Sequence, residues 1–233
     1  TIEIFNNSVT IPTNVTKVGH WYRARVRMQD DTNRWSHWSD PIEFQATEPD
    51  TLEDLKSRLV LTELMYHARQ GANFDFIELH NRSDQTIELD GVAISGGIQF
   101  IVPPNTKLKS KQFALVIGNN DKAAFQAHYK LSDDTLILGS YNGKLSNNGE
   151  QIWVKSATDG TTLISIEYSD NEGWPQAADG DGRSLIPTVT EPEKQALGNL
   201  NQSKNWTLST AEGGSPGFGE KSFIPSKDSD QDG

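Results

Sequence analysis

The sequence predicts an all-β protein whose main body is a β-sandwich. Alternating apolar runs of strand length recur roughly every 8–15 residues, separated by polar turns, the spacing of short strands in sandwiches and barrels. Hydrophobic residues make up only 34% of the 233, while Gly alone numbers 19, a balance that favours many turns over long helices. The apolar residues are also clustered rather than thinned out, which argues against disorder.

The first element lies in residues 1–46. In "WYRARVRM", Tyr22, Ala24, Val26 and Met28 point one way and Arg23, Arg25 and Arg27 the other, the period of a strand. Three arginines on one face repel unless something covers them. "QDDTNR" provides a turn that returns "RWSHWSDP" beside the strand, so that Trp35 and Trp38 can lie on the guanidinium planes, a contact of about 0.5–2 kcal/mol. Tyr22, Val26 and the box Trp35, Ser36, His37, Trp38, Ser39 resemble the end of a fibronectin type III domain, whose penultimate strand reads Tyr-x-x-x-Val and whose cytokine-receptor members carry a Trp-Ser-x-Trp-Ser motif. The resemblance implies a structural clasp, with a ligand-binding aromatic patch as the alternative. Such a partial domain has too few residues for seven strands and is expected to pack on its neighbour. Residues 47–58 are a linker, in which Pro49 ends the preceding strand and Thr51 with Asp54 predicts a capped short helix.

Residues 59–219 hold the sandwich. "LVLTELMY" is its first strand. "FDFIELHN" follows, with Ile77 and Leu79 on one face and Phe74 and Phe76 on the other, as in a strand covered on both sides. "TIELDGVAIS", "IQFIVPP" and "FALVIG" continue the train. "NNDKAAFQAHY" breaks it with helical spacing of Ala124, Phe125, His128 and Tyr129 behind a cap at Asn120. "DTLILGS", "EQIWVKS" and "TTLISIEYS" are strands, the last two joined by a turn at "ATDG", and "SLIP" and "NWTLS" close the set, with Trp174 as a plug at the sandwich end.

Several of these segments together resemble the lamin tail domain, an immunoglobulin-like module of intermediate-filament proteins that also occurs in exported bacterial proteins. They are "LTELMY", the "FIELxN" run from Phe76 to Asn81, Leu89 and Gly91, Pro103 and Thr106, "GKLSNNGEQIWV", "GWPQAADGDGRSL", and "GGSPG" at 213–217. Val92 and Asn105 depart from the family's usual aromatic and glycine. The resemblance implies an immunoglobulin-like β-sandwich that binds or scaffolds and brings no catalytic residues with it. A heptad rod and a basic nuclear-import run are missing, so nuclear and filament roles do not transfer.

Residues 220–233 form a tail in which Asp228, Asp230, Asp232 and Gly233 match the opening of a D-x-D-x-D-G calcium loop. Alternate carboxylates there converge on one cation and glycine permits the turn. A solvated acidic tail is the plain alternative. Asp179 and Asp181 lie two apart in "ADGDGRS" and are a second candidate cation loop, or turn formers beside flexible glycines. "GGSPG" spells G-x-S-x-G around Ser215, but the proline directly after the serine opposes the helix that a nucleophile elbow requires. Glu63 and Glu78 on neighbouring strands could form a carboxylate pair of the kind a glycosidase uses, although 32 acidic residues produce such pairs by chance. His67 and His80 could meet across the same strands. Sequons stand at Asn6, Asn14, Asn81, Asn201 and Asn205.

A net charge of −11 disfavours nucleic acid as a partner, with Lys107, Lys109 and Lys111 as the local exception. Cysteine is absent, which removes disulfide and thiolate chemistry. No apolar run approaches the ~18 residues of a membrane-spanning helix. The chain opens on Thr1 and is expected to be a piece of a longer protein. The reading that follows is a non-catalytic interaction module of an exported bacterial protein, extracellular or at the cell surface. It would contact protein or glycan there, and neighbouring domains of its own chain, with calcium as the one expected cofactor. A substrate-positioning domain of a surface hydrolase is the alternative, and nucleic-acid binding the second.

Overall fold

The computed structural model describes residues 19–46, 52–157, 159–171 and 173–219. The chain divides into two units, Thr1–Pro49 and Asp50–Gly233. In the first, β1 (Trp21–Ala24) pairs antiparallel with β2 (Ile42–Gln45), and Tyr22 stacks on Phe44 with ring centroids 5.8 Å apart. The alternation of the sequence predicts one strand through Met28, yet regular pairing stops at Ala24. Beyond it the partners of the backbone become serines. Ser36 N–H donates to the Met28 carbonyl (2.8 Å) and Met28 N–H to Ser36 Oγ (2.9 Å), and Ser39 and Val26 repeat the exchange at 2.8 and 3.1 Å.

The second unit begins with α1 (Leu52–Arg58), which runs directly into β3 (Leu59–Met65). The capping contact predicted between Thr51 and Asp54 lies outside the described residues. β4 (Phe76–Asn81), β5 (Ile87–Glu88), β6 (Ala93–Gly96), β7 (Ile98–Ile101), β8 (Lys107–Leu108) and β9 (Phe113–Ile117) follow. Then come α2 (Lys122–Tyr129), β10 (Ile137–Ser140), β11 (Asn142–Gly143), β12 (Gly149–Lys155), β13 (Thr162–Ser169), β14 (Leu185–Pro187), α3 (Pro192–Ala196) and β15 (Trp206–Leu208). Phe74 belongs to a single 3-10 turn ahead of β4 rather than to the strand.

One sheet has the order β10-β9-β4-β3-β14-β15, with β10 parallel to β9 and every other pairing antiparallel. The other is antiparallel, in the order β11-β7-β6-β12-β13, and β5 pairs with β8 in a separate ribbon. Their inward side chains form one core: Leu61, Leu64, Ile77, Leu79 and Val116 from the first sheet, Ile94, Ile152, Val154, Ile164 and Ile166 from the second. At about 1.5–3 kcal/mol for each fully buried aliphatic side chain, this all-β sandwich rests chiefly on that layer.

Two devices make the first sheet fit the sequence. Strict alternation would put Leu59, Leu61, Glu63 and Met65 on one face. A bulge between Leu61 and Glu63 shifts the register, so Leu64 joins Leu59 and Leu61 in the core while Glu63 and Met65 turn outward. The Gln195 side chain stands in for a missing strand beside this bulge. It accepts from Leu61 N–H at 2.8 Å and donates to the Leu61 carbonyl at 3.0 Å.

The outer face of the six-stranded sheet is covered in part by α2, under which Phe76, Leu115, Ile117 and Phe125 form a second buried cluster. β4 is therefore covered on both faces, as its sequence predicts. The helix is capped by Asp121, whose carboxylate accepts from Ala124 N–H at 3.0 Å, and not by Asn120. Asn81, the last residue of the "FIELxN" run, is fully buried. Its amide donates to the Gln85, Leu108 and Lys109 carbonyls and its Oδ1 accepts from Ser83, so it ties the turn after β4 to β8. A sequon there has no reachable side chain in the folded protein.

Candidate functional site

Glu63 and Glu78 are opposite one another across β3 and β4, and both are wholly buried. A buried carboxylate needs several donors to be tolerated, and the donors here come from the far end of the chain. Glu63 accepts from the Ser184 hydroxyl, from Ser215 N–H at 3.0 Å and from the Ser215 hydroxyl at 2.9 Å. Glu78 accepts from the Thr62 hydroxyl and from Gly217 N–H, each at 2.6 Å. The paired carboxylates predicted from the sequence thus exist, and the structure makes them a fastening for the loop 213–217 across the outer face of the sheet. Ser215 serves as a donor in that fastening. The residue before it must be glycine: Gly214 has φ +76°, and a Cβ there would stand 1.9 Å from Glu63 Oε1.

The fastened loop forms one wall of a cleft of about 490 Å³. Its floor includes Met65, Ala68, Tyr129 and Leu131, and its polar rim Arg69, Gln70, His128, Lys130 and Glu212. Arg69 bridges the rim, donating to Glu212 Oε1 at 2.5 Å and to the Asp181 carbonyl at 2.8 Å. Lys130 ends α2 in the left-handed conformation, φ 54°. Tyr129 donates its hydroxyl to the Phe74 carbonyl at 2.7 Å, and burial holds that phenol well above the ordinary tyrosine range. Phe218 is 63% exposed on the lip of the cleft.

The other residues singled out from the sequence fall elsewhere. Asp179 is hydrogen-bonded to His67 Nδ1 at 2.7 Å, and Asp181 enters the cleft's edge through its carbonyl. Among the described residues no group of three or more His, Asp or Glu side chains is arranged to hold a metal ion. His80 does not meet His67. It stacks on Phe113 with centroids 4.1 Å apart, and burial pushes its pKa down. Lys107 pairs with Glu88 at 2.7 Å and Lys111 with Asp84 at 3.2 Å, which neutralises two members of the candidate basic patch. Asp228, Asp230 and Asp232 lie outside the described residues.

In the first unit the arginine ladder contracts to one rung. The Arg27 guanidinium lies 4.2 Å from the Trp35 ring and 4.7 Å from the Trp38 ring. Arg23 instead pairs with Glu43 at 2.5 Å, across β1 and β2. Among the described residues neither Arg23 nor Arg25 lies over an indole. The strand pairing carries Arg23 toward β2, and of the two arginines beyond the end of β1 it is Arg27 that reaches the tryptophans. Both indoles remain about half exposed, at 52% and 54%, because one guanidinium covers only part of each.

Sequence reasoning missed Ser184, Thr62, Arg69, Glu212 and Phe218. Ser184 is 121 positions from its carboxylate, and nothing local marks it. The glycine-dense run 213–219 was the available signal: a segment that must adopt positive φ repeatedly has a shape to keep. Among known proteins, a family model described as Lamin Tail Domain matches residues 54–170. No curated protein and no solved structure matches the chain. The matched span ends before β14 and β15, the two strands that complete one edge of the six-stranded sheet.

Proposed function

Because this chain belongs to the lamin tail domain family, whose immunoglobulin-like members are in general non-catalytic interaction modules, we propose that it is a docking or adhesion module of a larger exported bacterial protein, working at the cell surface. The observation that carries this reading is the use made of Glu63, Glu78 and Ser215. These are the residues best suited by type to acid–base or nucleophilic work, and each is engaged in holding a loop in place. The result is a rigid wall beside an open cleft, which suits recognition. The Trp35–Arg27–Trp38 clasp supports a tandem arrangement with fibronectin-like modules, and Asp228, Asp230 and Asp232 would open a calcium repeat on the other side. Among the described residues no helix is long and apolar enough to cross a membrane.

The test is binding of the purified, fluorescently labelled chain to intact bacterial cells at physiological salt. Saturable binding that unlabelled chain displaces is expected. Absence of saturable binding would remove the docking role, and turnover of a surface polymer by the chain alone would replace it with an enzymatic one.

A further inference from the structure

The cleft walled by residues 213–218 has a composition that points to one ligand chemistry. Its volume, about 490 Å³, falls in the range of small-ligand sites, about 300–1,000 Å³. Phe218 presents an aromatic ring on the lip, 63% exposed. The same cleft is lined by groups that form planar, two-pronged hydrogen bonds: the Arg69 guanidinium, the Gln70 amide and the Glu212 carboxylate. Arg69 and Glu212 already hold one another at 2.5 Å, and Asp181 fixes the other side of the guanidinium at 2.8 Å, so this polar rim is set in orientation before any ligand arrives. The opposite wall is set too, by the two buried carboxylates that pin Ser215 and Gly217.

A pyranose ring needs both halves of this arrangement. Its C–H face packs on an aromatic ring, and its hydroxyls, each both donor and acceptor, match amide, guanidinium and carboxylate forks. We propose that this cleft is a saccharide-binding site, with Phe218 as the stacking platform and Arg69, Gln70 and Glu212 as the hydroxyl-reading groups. The proposal names the ligand class for the docking role proposed above and rests on that role only for its setting. Two cations and one carboxylate on the rim, Arg69, Lys130 and Glu212, leave the site without the dense positive charge that a polyanion requires, so neutral sugars fit better than polyuronates.

The experiment exposes the full chain to immobilised neutral, amino-sugar and uronate oligosaccharides and repeats it with Phe218→Ala and Gln70→Ala. Both side chains are exposed, so these variants keep the fold, which circular dichroism checks. Binding to at least one neutral oligosaccharide is expected, with a loss of tenfold or more in each variant. The Gln70 side-chain amide should shift in the NMR spectrum on titration with the bound sugar. The proposal is overturned if no sugar binds, or if binding persists undiminished in both variants. Cell binding that survives Phe218→Ala and excess sugar would leave docking intact and remove the saccharide. Sugar binding without cell binding would do the reverse.

Discussion

Asp75 is fully buried, with Oδ1 accepting Ala68 N–H at 2.8 Å and Oδ2 lacking a hydrogen-bond partner among the described residues. Burial pushes this carboxyl up to about 6 from 3.8, against the opposing pull of the Ala68 N–H bond first, then of His67 and Lys144. The folded chain therefore holds the proton more tightly than the unfolded one. Stability contributed by the protonated group is complete at low pH and is lost as pH rises from about 4 to about 6. At ~1.4 kcal/mol for each pH unit between the two values, the loss is about 3 kcal/mol. Urea midpoints measured across that window should fall in the parent and stay nearly level in Asp75→Asn, which keeps the acceptor for Ala68; a level parent would refute the assignment. Gly214→Ala is expected to cost more than ~2 kcal/mol, since left-handed strain of about 1–3 kcal/mol adds to a Cβ placed 1.9 Å from Glu63 Oε1; thermal unfolding reads it. The glycines were visible in the sequence, but the reason for this one was not, because the atom it avoids is supplied 151 positions earlier.

Among the elements, the fastened loop and the tryptophan clasp show how side chains replace backbone partners. Glu78→Gln keeps the shape but substitutes a neutral acceptor for a charged one at Gly217 N–H, a difference of about 1 kcal/mol. The Gly217 amide should then exchange with solvent several-fold faster in hydrogen-exchange NMR, with the core amides of β12 unchanged. Ser39→Ala removes the acceptor of Val26 N–H; faster exchange at Val26 and a red-shifted tryptophan emission are expected, and no change in either would reduce the serine to a bystander. The strands themselves were largely legible. β4 announced that it would be covered on both sides, and the hairpin of β12 and β13 announced its turn. The bulge in β3 was not legible, because "LVLTELMY" reads as plain alternation and only the demand that Leu64 reach the core reveals the extra residue. Nor was the cap of α2, where Asn120 and Asp121 are chemically equivalent candidates and the chain direction decides.

For the molecule as a whole, the net charge of −11 and the pairing of Lys107 and Lys111 set an expectation about polyanions. Affinity for duplex DNA at 150 mM salt should be weaker than ~10⁻⁴ M, the weak end of non-specific binding; tighter binding with a steep salt slope would revive the nucleic-acid alternative. The sandwich class followed from strand spacing, but the order of strands did not, since β3 meets β14 and β10 runs parallel to β9 through contacts that no local pattern encodes. The same remoteness has a temporal side. Glu63 and Glu78 leave a ribosome more than a hundred residues before Ser184, Ser215 and Gly217 follow them. During synthesis this module therefore carries two carboxylates that cannot yet be enclosed. Its final closure waits for residues 215–217, which makes a nascent chain halted short of that point a natural substrate for proteolysis.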